Sequence, residues 1–210
     1  MDRVYSFIAE RCKKYDIDES HGLKHSIDTV EWARQLIAAE TTYVYPAEER
    51  MILYCAALHD MCDPKYRNTD EACEEIRTWL ITREKWFSEN ANALVNIITT
   101  MSYSKLKLKA QENNGIPIYP DHGLWQRAYH IARHADLLEG YKVRRCMLYT
   151  QHRLPEENPL AYWPIVRELF ENRVLNYVRD SWIFLPKAIE LARGLHQKAV
   201  ADLADENASE

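Results

Sequence analysis

The chain has 210 residues, of which 47% are hydrophobic and 28% are charged, as in an ordinary globular protein of one good-sized domain or two small ones. Its five glycines are too few for a sandwich or barrel that depends on many tight turns. Its net charge of -5 provides no general basic surface, so we expect no stable binding of nucleic acid.

Neither a targeting segment nor a membrane span is evident in the sequence. The opening stretch "MDRVYSFIAERCKKYD" is broken by charges and lacks the continuous apolar core of a signal peptide. No stretch approaches the roughly 18 unbroken apolar residues of a membrane span. The five cysteines are odd in number and form no CxxC pair, which argues against a disulfide framework or a zinc finger. We therefore expect a cytoplasmic protein that does not bind membranes.

Helical periodicity recurs along the chain. Val4, Ile8 and Cys12, for example, stand four residues apart on one helix face. Ser20 is predicted to be the N-cap of the second helix, and Pro46 suits the first turn of the third. The pattern predicts helices at about residues 2–14, 23–39, 47–61, 69–82, 88–100, 122–139 or beyond, 159–176 and 186–203.

One long segment, residues 102–121, interrupts this helical pattern. Its "KLKLK" run alternates polar and apolar residues, so a short β-hairpin is one interpretation. Long loops in compact domains tend to be functional, and we expect this segment to shape a binding pocket. No repeat or low-complexity linker divides the chain. We therefore predict one all-α domain over residues 1–203 and a disordered polar tail at 204–210.

The stretch "AALHDMCDP", residues 56–64, places acids at the end of a predicted core helix. A helix C-terminus carries a negative partial charge, so each acid there costs about 0.3–1 kcal/mol. A cation bound near His59, Asp60 and Asp63 would remove this conflict. The alternative is that both acids point into solvent.

Two further helices offer ligands of the same kind. His21 and His25 stand four residues apart at the start of the second helix. Asp136 interrupts an apolar helical pattern, where an acid needs either solvent or a partner. Mixed imidazole and carboxylate ligands suit Mn, Fe, Co, Ni or Zn and tolerate Mg. The candidate metal ligands are therefore His25, His59, Asp60 and Asp136.

This order of ligands, His … His-Asp … Asp on successive helices, resembles the signature of the HD-domain metal-dependent phosphohydrolases. In this chain it reads His25, His59-Asp60 and Asp136. The segments "HDMCDPKY", "TTMSYSK" and "ARHADLLEGY" are similar to the small stand-alone members of that family. The resemblance is strong between residues 20 and 145 and faint afterwards.

The resemblance implies a fold and a reaction. Five core helices would surround the metal within residues 20–146, with further C-terminal helices at about 159–203. The reaction would be hydrolysis of a phosphate ester or anhydride of a small substrate, with a nucleotide favoured, by attack of a metal-activated water. One divalent ion is expected, namely Mn, Mg, Co, Ni, Fe or Zn with Mn favoured, because no extra His cluster for a dinuclear centre is evident.

Several residues then become candidates for catalysis. In several branches of the family, an acid three positions after the ligand Asp orients or deprotonates the attacking water. Asp63 holds that position in place of the usual Glu, and the alternative is a turn-forming Asp before proline. Lys65 would neutralise phosphate charge unless it is a solvated surface lysine. Arg144 or Arg145 would grip phosphate if the preceding helix continues to them; a surface ion pair is an equal interpretation.

Other residues are candidates for contacts with the substrate. His21 would donate a hydrogen bond to the substrate or support a metal ligand, and its alternative is a capping or surface histidine. Tyr103 would stack on a base. Lys105, together with Lys107 and Lys109, would form a lip that gathers phosphate, or only a solvated charged edge.

Two histidines and one acid near the last ligand complete the set. His134 lies two residues before Asp136, about 200° around a helix, so we expect neither it nor His130 to bind the metal. Glu139 lies three residues after Asp136 on the same face and is expected to hydrogen-bond a metal ligand or a water.

Two functions from different classes stay open. The first is an enzyme that hydrolyses a small phosphorylated substrate. The second is a catalytically inactive metal-binding module that binds a nucleotide or a partner protein. The complete ligand set favours the enzyme. A third class, an HD-type oxygenase, needs additional His or Asp ligands for a second iron, and no such set is evident. The sequence predicts no particular oligomeric state.

Overall fold

The structure, a computed structural model, describes residues 1–154 and 161–205. It confirms the all-α prediction, and no strand occurs within the described residues. Its helices are α1 (Asp2–Tyr15), α2 (Leu23–Ala38), α3 (Pro46–Leu58), α4 (Thr69–Thr82), α5 (Ser88–Thr100), α6 (Tyr103–Gln111), α7 (Gln126–Glu139), α8 (Val143–Arg153), α9 (Tyr162–Asn172) and α10 (Pro186–Ala204). Short 3₁₀ turns span His59–Cys62, Gly123–Trp125 and Val174–Asn176.

Local sequence signals account for several helix starts. Pro46 occupies the first turn of α3, where Glu48 and Glu49 complement the positive end of the helix. The side chain of Asn68 caps α4 by accepting hydrogen bonds from the backbone N–H groups of Asp70 and Glu71.

The centre of the fold is formed by α2, α3 and α7, which pack against one another. Helix α3 is buried at every position from Met51 to Leu58, as a helix enclosed on all sides must be. Helix α2 turns Val30, Ala33 and Leu36 toward this core. The helices of this trio carry or immediately precede all four predicted metal ligands.

The structure corrects the interpretation of "KLKLK" as part of a hairpin. The run lies in helix α6, which buries Tyr103, Leu106 and Ala110 at helical spacing. Leu108 would share a strand face with Leu106, but it is 65% exposed while Leu106 is 2% exposed. A run of five residues is too short to distinguish the 3.6-residue period of a helix from the two-residue period of a strand.

Three helix ends also differ from prediction. Helix α3 stops at Leu58, and the His-Asp pair lies in the 3₁₀ turn that follows. Helix α7 ends at Glu139, within the prediction, but it starts at Gln126 instead of about residue 122, after the 3₁₀ turn over Gly123–Trp125. Gly22 holds the N-cap position of α2, so Ser20 is not the cap. These differences all fall at helix ends, where competing hydrogen bonds decide the geometry.

The C-terminal predictions are tested only in part. The helix predicted over 159–176 ends earlier, at Asn172, and its predicted start lies outside the described residues. Helix α10 extends through Ala204, so the first residue of the predicted tail is helical. Residues 206–210 of that tail lie outside the described residues. Among the helices described, none is both long enough and apolar enough to cross a membrane.

Candidate metal centre

The four predicted ligands come together at one end of the central helix trio. His25 lies in the first turn of α2, and Asp136 lies in the last turn of α7. The 3₁₀ turn after α3 carries His59 and Asp60. Because the trio is packed through an apolar core, the backbone holds these side chains in place from three directions.

The donor atoms of the cluster converge closely. The two Nε2 atoms of His25 and His59 are 3.0 Å apart, and each lies 3.2 Å from Oδ2 of Asp60. Oδ1 of Asp136 lies 3.6 Å from Nε2 of His25 and 3.3 Å from Nε2 of His59. Metal–ligand bonds of about 2.1 Å at right angles place neighbouring donor atoms about 3 Å apart. The cluster therefore matches the spacing of ligands around a single ion.

Hydrogen bonding also fits a cation. Nδ1 of His59 donates to the backbone oxygen of Ala56 at 2.9 Å, which leaves Nε2 of the neutral ring with its lone pair toward the cluster. Oδ2 of Asp60 is buried and has no hydrogen-bond partner among the described residues. A buried carboxylate oxygen without a partner is costly, and a bound cation would satisfy it.

Burial and mutual charge shift the titration of all four ligands. Burial, with help from the charge of Arg145, lowers the pKa of His25 to about 3. Burial disfavours the protonated form of His59. The nearby carboxylates of Asp60 and Asp136 favour that form more strongly, so the pKa of His59 lies well above its usual value. Burial also disfavours the charged forms of Asp60 and Asp136. The positive charge of His59 outweighs this effect and holds the pKa values of both carboxyl groups below their usual range. Without a cation, one imidazolium thus offsets two carboxylates.

Of the two predicted arginines, the structure brings one to the cluster. Arg145 lies 3.8 Å from Oδ2 of Asp60 and from Oδ1 of Asp136. Its Nε donates to the backbone oxygen of Ser20 at 2.7 Å, which fixes the guanidinium near the N-terminus of α2. Arg144 is exposed and lies outside the cavity lining, because adjacent residues of α8 point about 100° apart.

A cavity of about 410 Å³ opens beside the cluster. Its walls include His59, Asp60 and Asp136, together with apolar side chains from α5, α7 and α9. This volume falls within the range of small-molecule sites, about 300–1,000 Å³. Within the described residues the lining includes the predicted site residues His21, Asp63, Lys65, Tyr103, Lys105 and Arg145.

The two predicted catalytic residues contact each other at the cavity wall. Oδ1 of Asp63 accepts a hydrogen bond from the backbone N–H of Lys65 at 2.9 Å. Nζ of Lys65 lies 3.1 Å from Oδ2 of Asp63. Asp63 is therefore both the turn-forming acid and a wall residue, so the two interpretations of it do not exclude each other.

His21 is buried at the wall within a hydrogen-bonded network. Its Nδ1 lies 2.7 Å from the hydroxyl oxygen of Ser20 and 3.1 Å from that of Tyr66. Both hydroxyls donate to the carboxylate of Asp18. Burial disfavours the charged form of Asp18. The hydrogen bonds from His21, Ser20 and Tyr66 stabilise that form more strongly, so the pKa of Asp18 is lowered. Neither Asp18 nor Tyr66 was predicted from the sequence.

Tyr103 and Lys105 both border the cavity, and the structure adds a cation there that the sequence did not reveal. Arg173, just after α9, stacks 4.2 Å from the ring centre of Tyr103, and its Nε donates to the hydroxyl of Tyr177 at 2.8 Å. In the part of the chain that the structure describes, no carboxylate pairs with Arg173. No spacing signal links residue 173 to the ligands, so only the fold identifies it.

Two other residues considered in the sequence, Glu139 and His134, have hydrogen-bond partners outside the cluster. Glu139 accepts a hydrogen bond from Nε1 of Trp32 at 2.9 Å and pairs with Lys142. Nε2 of His134 accepts a hydrogen bond from the backbone N–H of Phe184 at 3.0 Å. His134 therefore ties the segment before α10 to α7.

No family model, curated protein or solved structure matches this chain. The resemblance to HD-domain phosphohydrolases therefore rests on the residues themselves.

Proposed function

We propose that the protein is a metal-dependent phosphohydrolase of the HD-domain type that acts on a small phosphorylated substrate, with a nucleotide favoured. The convergence of His25, His59, Asp60 and Asp136 within 3.0–3.6 Å beside a cavity carries this proposal. A single divalent ion, Mn in the favoured case, fits the donor types and their spacing.

The charge around the cavity favours an anionic substrate. The wall contains three carboxylates, and the same wall contains four cationic side chains, from Lys65, Lys105, Arg145 and Arg173. A divalent ion on the carboxylates makes the cavity strongly positive. Because Arg173 has no carboxylate partner in the described part of the chain, its guanidinium is available to a phosphate.

The wall residues have complementary roles in hydrolysis. A bound divalent ion supplies a lowered pKa for its water ligand and polarises a phosphoryl oxygen. Asp63 orients the attacking water and accepts its proton at a carboxylate oxygen. Lys65, Lys105 and Arg173 bind the phosphate and stabilise the charge that develops on its oxygens.

The remaining wall suits an aromatic or apolar group attached to the phosphate. Tyr103 and Tyr149 flank the cavity, and Leu169 and Val174 close its apolar side. A base that stacks on one of these rings would be held at a fixed distance from the cations. A nucleoside phosphate therefore matches both the apolar and the charged parts of the cavity.

A screen of nucleoside mono-, di- and triphosphates with Mn²⁺ or Mg²⁺ tests the proposal. We expect phosphate or pyrophosphate release from at least one of them, and loss of release in Asp136→Asn, which removes a ligand charge. Asp70→Asn is a matched control because Asp70 is exposed and outside the cavity. A metal-loaded protein that binds a nucleotide but releases nothing would favour the inactive binding module instead.

A further inference from the structure

Two thiols lie in contact immediately beside the candidate metal centre. The Sγ atoms of Cys62 and Cys73 are 3.4 Å apart and share a hydrogen bond. Cys62 is the last residue of the 3₁₀ turn that carries His59 and Asp60, and Cys73 lies in the second turn of α4. Neither thiol has a role in the proposed hydrolysis, so their contact calls for a separate explanation.

The thiol of Cys73 has the properties of a reactive cysteine. Its hydrogen bond with Cys62, helped by the charges of Arg77 and Lys105, outweighs burial and lowers the pKa of Cys73 to about 7. By contrast, burial raises the pKa of Cys12 to about 11. The thiolate is the nucleophilic form of cysteine, so Cys73 is the more reactive of these two toward an oxidant.

Small solutes can approach the pair from two sides. Cys62 borders the cavity, which is large enough to admit a peroxide molecule. Cys73 is outside the cavity lining but keeps 8% of its surface exposed. The two sulfurs are therefore close to each other and within reach of a small oxidant.

We propose that Cys62 and Cys73 form a reversible disulfide when the protein meets a hydroperoxide such as hydrogen peroxide, and that this bond moves the turn carrying His59 and Asp60 and so weakens metal binding. The effect on the metal rests on the proposed function, because it requires an ion at the four predicted ligands. Formation of the disulfide itself does not.

One hydrogen peroxide molecule is consumed for each disulfide. The thiolate of Cys73 attacks one peroxide oxygen, the O–O bond breaks, and the other oxygen leaves as hydroxide, which takes up the proton lost by Cys73 to become water. The product is a sulfenic acid. Sγ of Cys62 then attacks the sulfenic sulfur, the S–O bond breaks, and the hydroxyl leaves as water with the proton of Cys62. The two sulfurs lose two electrons in total, and a dithiol returns them by reducing the bond.

Formation of the bond requires a movement of the turn. A disulfide is about 2 Å long, so sulfurs that are 3.4 Å apart must approach by about 1.4 Å. Helix α4 resists this movement because Ala72, Ile76 and Leu80 fix it in the core. The turn is a single 3₁₀ element with poorer hydrogen-bond geometry, so it is the part that yields. Asp60 lies two residues before Cys62 in this turn, and a binding site must hold its groups within about 0.5 Å.

Thiol counting and peptide mapping test whether the pair forms. The full chain is freed of metal with EDTA and treated with hydrogen peroxide, which is then removed with catalase. We expect two fewer reactive thiols than the five of the reduced chain, together with a cross-linked peptide that joins Cys62 to Cys73. Dithiothreitol should restore both thiols. Cys12→Ser removes a partly exposed thiol outside the cavity and should form the same cross-link. Oxidation of cysteines without this cross-link would overturn the proposal.

Mn²⁺ titration of the same samples tests the effect on the metal. The disulfide should weaken Mn²⁺ binding about 10–100-fold, as loss of groups that hold metal ligands does, and reduction should restore the affinity. Cys73→Ser leaves the cavity lining unchanged and should keep its Mn²⁺ affinity after peroxide treatment, as should Cys73→Ala. A disulfide that leaves the affinity unchanged would overturn the coupling. Equal weakening in the Cys73 variants would also overturn it, because the loss would then come from oxidation elsewhere.

These measurements separate the inference from the proposed function. A reduced chain that binds no Mn²⁺ would overturn the metal centre and the coupling, while the thiol count would still decide whether the disulfide forms. Mn²⁺ binding that responds to the disulfide, without hydrolysis of any nucleotide, would support the inference and count against the phosphohydrolase.

Discussion

His59 lies between two carboxylates, with its Nε2 atom 3.2 Å from Asp60 and 3.3 Å from Asp136. These charges raise the pKa of His59 despite its burial, so the metal-free protein holds a proton there at neutral pH. A metal ion needs the unprotonated ring, and on binding here it would have to displace this proton. We therefore expect metal binding and proton release to be linked at this residue.

Mn²⁺ affinity should consequently increase with pH. While His59 is protonated, each unit of pH should raise the affinity about tenfold, because one proton is released for each ion bound. Calorimetric titrations in buffers with different ionisation enthalpies measure both the affinity and the released protons. An affinity that does not change between about pH 6 and pH 8 would contradict the linkage.

The sequence was enough to single out the four residues that converge and six of the residues that line the cavity beside them, but not Asp18, Tyr66 or Arg173. His25, His59, Asp60 and Asp136 stand out because imidazoles and acids recur at the ends of apolar helices. Arg173 was missed because it reaches the cavity through a fold contact far along the chain.

At the element scale, the two leucines of "KLKLK" distinguish a helix from a strand. Leu106 is buried in α6 and Leu108 points into solvent. In a strand the two side chains would lie on the same face, and both would respond equally to substitution.

Truncation of each leucine tests this assignment. Leu106→Ala should lower the free energy of unfolding by about 2–5 kcal/mol, because it leaves a cavity in the core. Leu108→Ala should change it by about 0.5 kcal/mol or less, because the side chain is exposed. Urea unfolding followed by circular dichroism measures both values. Equal losses in the two variants would refute the helical assignment.

The longer helices could be placed from the sequence because apolar spacing repeats over many residues, whereas the short helix α6 was not predicted and several helix ends differ from prediction. Pro64 disfavours helical geometry at Asp63, and the backbone of Asp63 is indeed extended. This signal did not reveal that α3 gives way to a 3₁₀ turn at His59.

In the whole molecule, the candidate metal centre joins segments that are far apart in sequence. Residues 25 and 136 come from different helices of the central trio, and His59 lies between them in the chain. Helices α2, α3 and α7 pack against one another through apolar contacts. An ion bound to the four side chains would add stability, because the unfolded chain cannot bring them together.

Mn²⁺ should therefore raise the melting temperature of the protein, and EDTA should reverse the change. At a concentration about 100 times the Kd, the ion adds about 2.7 kcal/mol to the folded state. For a chain of this size that corresponds to a rise of about 5–10 °C.

In Asp136→Asn, Mn²⁺ should produce little or no rise, whereas the exposed variant Asp70→Asn should respond like the wild type. Differential scanning fluorimetry of the three proteins measures these shifts. An equal rise in Asp136→Asn would locate the stabilising ion away from the helix trio, because a site built on α2, α3 and α7 cannot keep its affinity after losing the charge that α7 contributes.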